Sequence, residues 1–350
     1  MILMPSRKPI QNIDQNKIQR SLHHLRIISY SAFVLSVLAL ISAVLILYVL
    51  TPGISSAINS HQSNSTATTT IKSGGFGSTL AGINTPLNAS ALAVINDAPN
   101  AYFQRAGEAY LNGSLSDPIF PSANKVAGIT LNGKKTVLYF GSITCVFCGE
   151  NRWAMALALS RFGSFSKLFI GYSSFGDHDL PTLYWTQVNY NSSTDEIGNY
   201  YSSNTINFLS IEDTHPITGG FALNSMPQIQ SNLKGLGNST YISAFAYILN
   251  LSNNKTTAFQ GTPYTIWGSY QFSGADAEVF GNSTPTGSTL PLTYMTHGQV
   301  LAQLANPTDQ FAQGEYAAAD VYVAAMCRSI NNNSSVCSLP AIVSLEAAFK

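Results

Sequence analysis

At 350 residues the chain has room for two average domains, or for one large domain with an anchor and a linker. Only 10% of the residues are charged and the formal net charge is zero, while Asn, Ser, Thr, Gly and Tyr abound. No basic patch of the kind that tracks phosphates is present, so nucleic acid is not an expected partner.

Ile27–Leu50 runs for 24 residues without a formal charge, long enough for a helix to cross the hydrocarbon core of a bilayer. The rival reading is a cleaved signal peptide, but its apolar region is normally shorter and no clear small-residue cleavage site follows. Arg7, Lys8, Lys17, Arg20 and Arg26 precede the span against the single acid Asp14, and no charge follows it until Lys72. The positive-inside rule then predicts a cytoplasmic tail over 1–26, a single transmembrane helix over 27–50 and everything later outside the cell membrane. Ten Asn-x-Ser/Thr N-glycosylation sequons and all four cysteines lie after the span, as expected of an extracytoplasmic region where disulfides persist. Residues 51–83 are runs of Ser, Thr, Asn and Gly that cannot bury enough apolar surface to fold, and read as a flexible linker. An extracytoplasmic domain is expected over 84–350.

Ser90–Leu111 has helical periodicity divided at Pro99. Val126–Leu131 and Thr136–Gly141 flank Asn132-Gly133 and read as a hairpin. The run Thr136-Val137-Leu138-Tyr139-Phe140 is apolar on both faces, which predicts a central, fully covered strand. Cys145-Val146-Phe147-Cys148 follows, then a helix over Glu150–Phe162 and a strand over Lys167–Tyr172. Between Asp177 and Gly237 the sequence is polar and Tyr-rich and assigns no elements. Tyr241–Leu251 and Tyr264–Tyr270 read as strands, His297–Leu304 and Gln313–Arg328 as helices.

A Cys-x-x-Cys between a buried strand and a helix places its first sulfur at the helix N-terminus, where free N–H groups and the dipole favour a thiolate. Cys145 is then the nucleophile and Cys148 the resolving thiol. Covalent haem attachment needs a His after the second cysteine, and residue 149 is Gly. A zinc site pairing Cys145 and Cys148 with Cys327 and Cys337 would have an un-knuckle-like second spacing, and the histidines show no ligand spacing, so no metal and no cofactor is expected. A permanent structural disulfide is the bland alternative. A thioredoxin-like fold, which sets a cis-proline beside the dithiol, fits this order. Pro263, opening Tyr264–Trp267, is the preferred candidate over Pro227, with Thr262 presenting its backbone to a bound peptide and Val146 and Phe147 beside it. The interval from Cys148 to Pro263 demands an insertion. Cys327 and Cys337 flank an Asn/Ser-rich loop and read as a structural disulfide, with a second redox pair as the sharper alternative.

The segments Gly133–Gly141, Cys145–Cys148, Arg152–Gly163, Ala98–Phe103, Phe208–Glu212, Pro263–Gly274 and the Cys327/Cys337 pair together resemble an archaeal family of membrane-anchored proteins catalogued as a domain of unknown function. The resemblance spans roughly residues 84–340 and implies a thioredoxin-like α/β fold, with the dithiol at Cys145 and Cys148 and the strand-opening proline at Pro263. The family's intervening pair often reads Pro-Tyr, here Val146-Phe147, which leaves the redox poise open. The expectation is a membrane-anchored thiol–disulfide oxidoreductase acting on protein thiols and disulfides with a membrane or extracytoplasmic redox partner; the alternative is a non-catalytic binding module.

Overall fold

Lys134–Ser142 is the strand on which the other elements are laid. The computed structural model describes residues 82–115, 124–143, 145–173, 179–188, 196–213, 226–251, 264–273, 292, 295–347 and 349. Its helices are α1 (Ala89–Asn96), α2 (Asn100–Leu111), α3 (Val146–Ser160), α4 (Met226–Gly235), α5 (Ser239–Leu251), α6 (His297–Leu304), α7 (Gln310–Ser329) and α8 (Pro340–Glu346). Its strands are β1 (Asn124–Lys125), β2 (Thr130–Leu131), β3 (Lys134–Ser142), β4 (Ser164–Phe165), β5 (Phe169–Tyr172), β6 (Pro181–Tyr184), β7 (Glu196–Ile197), β8 (Tyr201–Ser202), β9 (Asn207–Asp213), β10 (Tyr264–Trp267) and β11 (Tyr270–Ser273). The chain is mixed α/β.

The main sheet has the order β1-β11-β10-β3-β9-β7, with β2 also paired to β3. β3 runs parallel to β9 and antiparallel to β10, and β11 runs antiparallel to β10. Successive side chains of a strand point to opposite faces. On β3, Val137 and Tyr139 enter one core with α3, α7 and the N-terminal helices, and Leu138 and Phe140 enter a second core with α4 and α5. Burial on both faces is why this strand reads as an unbroken apolar run.

The Asn132-Gly133 turn is present, with φ of 49° and 78°, the positive pair that a tight hairpin requires. Its first arm is shorter than expected. Only Thr130–Leu131 pairs with β3, whereas Asn124–Lys125 joins β11 at the sheet edge. The strand expected over Lys167–Tyr172 forms as Phe169–Tyr172, but it pairs with Pro181–Tyr184 in a separate hairpin. The parallel neighbour of β3 is instead Asn207–Asp213, inside the stretch whose pattern assigned nothing.

Tyr241–Leu251 is a correction of type: it is helical, not extended. Tyr241, Ala244, Phe245 and Ile248 recur at helical spacing and enter the second core, which outweighs the strand preference of Tyr, Ile and Phe. Asn238 accepts from the N–H groups of Thr240 and Tyr241 and starts the turn. The helix His297–Leu304 has the expected bounds, closed by a Thr296/Gln299 capping box.

The folded region also begins earlier than composition suggests. Ile83, assigned to the linker, is 1% exposed, and Asn84 accepts from the Val188 N–H and donates to the Val188 carbonyl, both at 2.9 Å. Backbone bonds from Asn84 to Ile170, Ile170 to Thr85 and Leu87 to Leu168 lay residues 84–87 along β5. The expected span Ile27–Leu50 lies outside the described residues. Among those residues, no helix is long and apolar enough to cross a membrane.

α7 is buried along most of its length and carries Glu315 and Asp320 at 1% and 0% exposure. Burial pushes Glu315 from 4.5 up to about 8, and Asp320 well above the usual carboxylate range against the pull of Arg161. The fold therefore binds protons that the unfolded chain releases. For Glu315 the associated stability is fully present below the unfolded value of 4.5 and is lost as pH rises through about 8. Glu315→Gln is expected to flatten that decline, with a higher Tm than the parent at pH 8 and little change in acid; calorimetry across pH checks it.

Candidate functional site

β3 ends at Ser142, and the chain re-enters regular structure at Cys145, the N-cap of α3 with extended φ and ψ of −77° and 125°. The Cys145 sulfur accepts from the Cys148 N–H at 3.3 Å, the place that a Ser or Asp oxygen takes at an ordinary cap. Cys145 is half-buried, Val146 packs against the core and Phe147 is 45% exposed. Cys148, one turn on, is fully buried, and its sulfur accepts from the Ser142 N–H at 3.5 Å. The two sulfurs are unbonded. Burial raises the Cys148 thiol well above its ordinary range, reinforced by the hydrogen bond and charge of Cys145, while Arg152 pulls it down. The pair is thus asymmetric: a half-buried cysteine at the helix end and a buried, proton-retaining thiol one turn on.

Sequence reasoning assigned no role to the floor of this site. Arg152 follows Cys148 by four positions, on the same side of α3. Its Nε and Nη2 donate to the two Glu212 carboxylate oxygens, both at 2.9 Å, with the side chains 0% and 2% exposed. Nη2 also donates to the Ser142 carbonyl at 2.9 Å, and Nη1 reaches the Thr182 hydroxyl at 3.5 Å. The rings of Tyr139 and Tyr184 lie 5.7 and 5.6 Å from the guanidinium carbon. Burial raises Glu212 above the usual carboxylate range, opposed by Arg152. The available signal was one cation next to the apolar run Trp153–Leu159 of the dithiol helix.

The β5–β6 hairpin covers the helix. Thr182 donates its hydroxyl to the Gly149 carbonyl at 2.6 Å, and the Pro181 carbonyl accepts from the Trp153 indole at 3.1 Å. His297, otherwise an isolated histidine in sequence, lies 2.7 Å through Nε2 from the Thr182 carbonyl. Burial holds it neutral, down to about 4. Trp153 is fully buried, as expected of a core residue of this helix.

Thr262 and Pro263 lie outside the described residues. The strand after them pairs Tyr264 with Phe140, so its N-terminal end lies at the end of β3 from which the dithiol departs. Pro227 falls within α4 and opens no strand. Cys327 and Cys337 are joined in a disulfide with Cα atoms 5.5 Å apart. Two residues on, Ser329 accepts from the Ser269 N–H and donates to the Trp267 carbonyl, and Trp267 pairs with Val137. From Val137 to Ser142 is roughly 16 Å of strand at about 3.3 Å per residue, so this bond is at the far end of the sheet from the dithiol. Among the described residues no group of three or more His, Cys, Asp or Glu could hold a metal ion.

Two consequences are measurable by urea unfolding. Arg152→Met strands a buried carboxylate and should cost about 3–5 kcal/mol, most of it recovered by adding Glu212→Leu. Replacing both Cys327 and Cys337 with Ser should cost about 2–3 kcal/mol while leaving the alkylation rate of Cys145 at the parent value.

No curated protein and no solved structure matches the chain significantly. A family model described as "Domain of unknown function (DUF929)" matches residues 124–327, from β1 to the disulfide cysteine at the end of α7. That match takes in β3, the dithiol, Arg152 and Glu212 and covers more than half of the chain, which therefore belongs to the DUF929 family.

Proposed function

We propose that this protein is a membrane-anchored, extracytoplasmic thiol–disulfide oxidoreductase of thioredoxin-like fold, with Cys145 as nucleophile and Cys148 as resolving thiol. The observation that carries the reading is the asymmetry of the pair: a half-buried cysteine at a helix N-terminus and a fully buried one a turn later. The helix end and the Cys148 N–H favour negative charge on the Cys145 sulfur. Supporting the fold assignment are the strand order β9-β3-β10-β11, the parallel β3–β9 pair linked through the dithiol helix, and the two antiparallel strands that follow. In that frame β5 and β6, α4 and α5 make up the insertion before β10. The anchor rests on the uncharged Ile27–Leu50 run and the five cations before it.

The exchange with a substrate makes and breaks only sulfur–sulfur bonds. The Cys145 thiolate attacks a protein disulfide, forming a Cys145–substrate bond and releasing one substrate thiolate. Cys148 attacks Cys145, closes the intramolecular disulfide and releases the second. Two electrons pass to the substrate and an external dithiol partner re-reduces the pair; in the reverse direction the pair oxidises a substrate dithiol and an external disulfide partner reoxidises it. A non-catalytic module would keep Cys145 buried and permanently bonded, and the partial exposure of Cys145 weighs against that.

The test is mechanism-specific. Cys145→Ser is expected to abolish reduction of an insulin disulfide, and Cys148→Ser to accumulate a mixed disulfide visible on a non-reducing gel. Full insulin-reducing activity in Cys145→Ser would sink the assignment.

A further inference from the structure

Ser142, the last residue of β3, touches both cysteines. Its carbonyl accepts from the Cys145 N–H at 3.2 Å, and its own N–H donates to the Cys148 sulfur at 3.5 Å. The Cys148 N–H in turn donates to the Cys145 sulfur at 3.3 Å. Each sulfur of the pair therefore accepts from a backbone N–H, and the three residues close a ring of hydrogen bonds. The strand explains the direction of the Ser142 donor. Ile143 donates to the Asp213 carbonyl on β9 at 3.2 Å, so the N–H one residue back points away from β9. It is turned to the sulfur instead.

Strand ends fray unless they are tied, and this one is tied from the floor of the site. Arg152 Nη2 carries two hydrogens: one goes to Glu212 and the other to the Ser142 carbonyl, both at 2.9 Å. With Nε also on Glu212, the planar guanidinium has little freedom to turn. The bond to Ser142 is additional to the two that neutralise Glu212, and it is the one that reaches the dithiol. A lysine at 152 would keep the charge but lacks the fork that serves a carboxylate and a carbonyl in fixed directions.

We propose that Arg152 is a positioning residue for the resolving step: it fixes Ser142 so that the Ser142 N–H supports the Cys148 thiolate as that sulfur attacks Cys145. The proposal rests on the oxidoreductase reading. Once Cys145 is joined to substrate, Cys148 yields its proton to the substrate thiolate released first. Its sulfur then bonds to Cys145, and the second substrate sulfur leaves with the electron pair of the broken bond. A donor aimed at a sulfur favours the anion over the neutral thiol. The help matters most at a fully buried sulfur, where solvent does not share the charge. The charged and titratable groups around Cys148 are Cys145 and Arg152 on α3, Tyr139 on β3 and Glu212 on β9. Tyr184 on β6 lies across the guanidinium, and neutral His297 on α6 stands behind Thr182.

The full-length chain in detergent, reduced and mixed with an aromatic disulfide such as 5,5′-dithiobis(2-nitrobenzoate), should release coloured thiolate in two phases. The first is attack by Cys145, the second resolution by Cys148. Arg152→Lys and the apolar pair Arg152→Met with Glu212→Leu both lack the bond to Ser142. Each is expected to keep the first phase, slow the second by about 10-fold or more and move its pH midpoint upward, the scale of one hydrogen bond to a charged group. A folded double variant whose second phase stays within about twofold of the parent, with its midpoint unmoved, overturns the proposal. Equal slowing of both phases also overturns it, because that marks a displaced helix. Should neither variant fold, Cys145→Ser decides. There the Ser142 amide NMR resonance should move together with the ultraviolet thiolate absorbance of Cys148 as pH rises; a resonance that ignores this titration overturns the proposal. A parent with no second phase at all overturns the oxidoreductase reading itself, a result distinct from these.

Discussion

Arg152 bonds to three strands from one helix: to Glu212 on β9, to the Ser142 carbonyl on β3 and to the Thr182 hydroxyl on β6. Desolvating a guanidinium and a carboxylate is costly, and only a bidentate geometry with further hydrogen bonds offsets it. Those conditions are met here, which makes the pair intolerant of displacement. Sliding α3 along the sheet by one turn would leave two charges buried and unmatched. The pair therefore sets the register of the dithiol helix against β3 and β9, more than it adds to net stability. Apolar contacts above and below would tolerate several packings; this one does not.

The legible parts of the chain are those whose burial is uniform or whose chemistry is local. β3 is apolar on both faces and could be read as a central strand. Cys145 and Cys148 are three residues apart, and strand and helix signals on either side place them. Glu212 and Arg152 lie 60 residues apart, and each alone looks like an ordinary surface charge. Their pairing exists only once β9 lies beside β3, and β9 was obscured by the Ser, Glu and Asp that it carries into covered positions. Tyr241–Leu251 was misread because residue types were weighed above their spacing, although Tyr241, Ala244, Phe245 and Ile248 mark a helical face. Bulky β-formers do not make a strand when their period is that of a helix.

The sparse charge of the sequence has a counterpart inside the fold. Glu150, Glu212, Glu315, Asp320 and Glu346 are all buried, and Glu212 is ion-paired with Arg152. Interiors of this kind favour a proton-rich medium, in which carboxyl groups enter the core uncharged. A thiol pair resting on such a floor takes its electrostatics from two or three defined neighbours and little from the solvent.

The entry of the chain into the domain has a mechanical meaning. Residues 84–87 run along β5 as an added strand, and the Asn84 side chain clasps both backbone groups of Val188. β5 and β6 form the hairpin that lies over α3 and bonds to Gly149 and Trp153 beside the dithiol. The first described residues of the chain are thus joined by strand-type hydrogen bonds to the same hairpin that covers the dithiol helix. Entry strand and dithiol helix therefore share one wall of the protein, and whatever shifts that hairpin shifts the support of the two sulfurs.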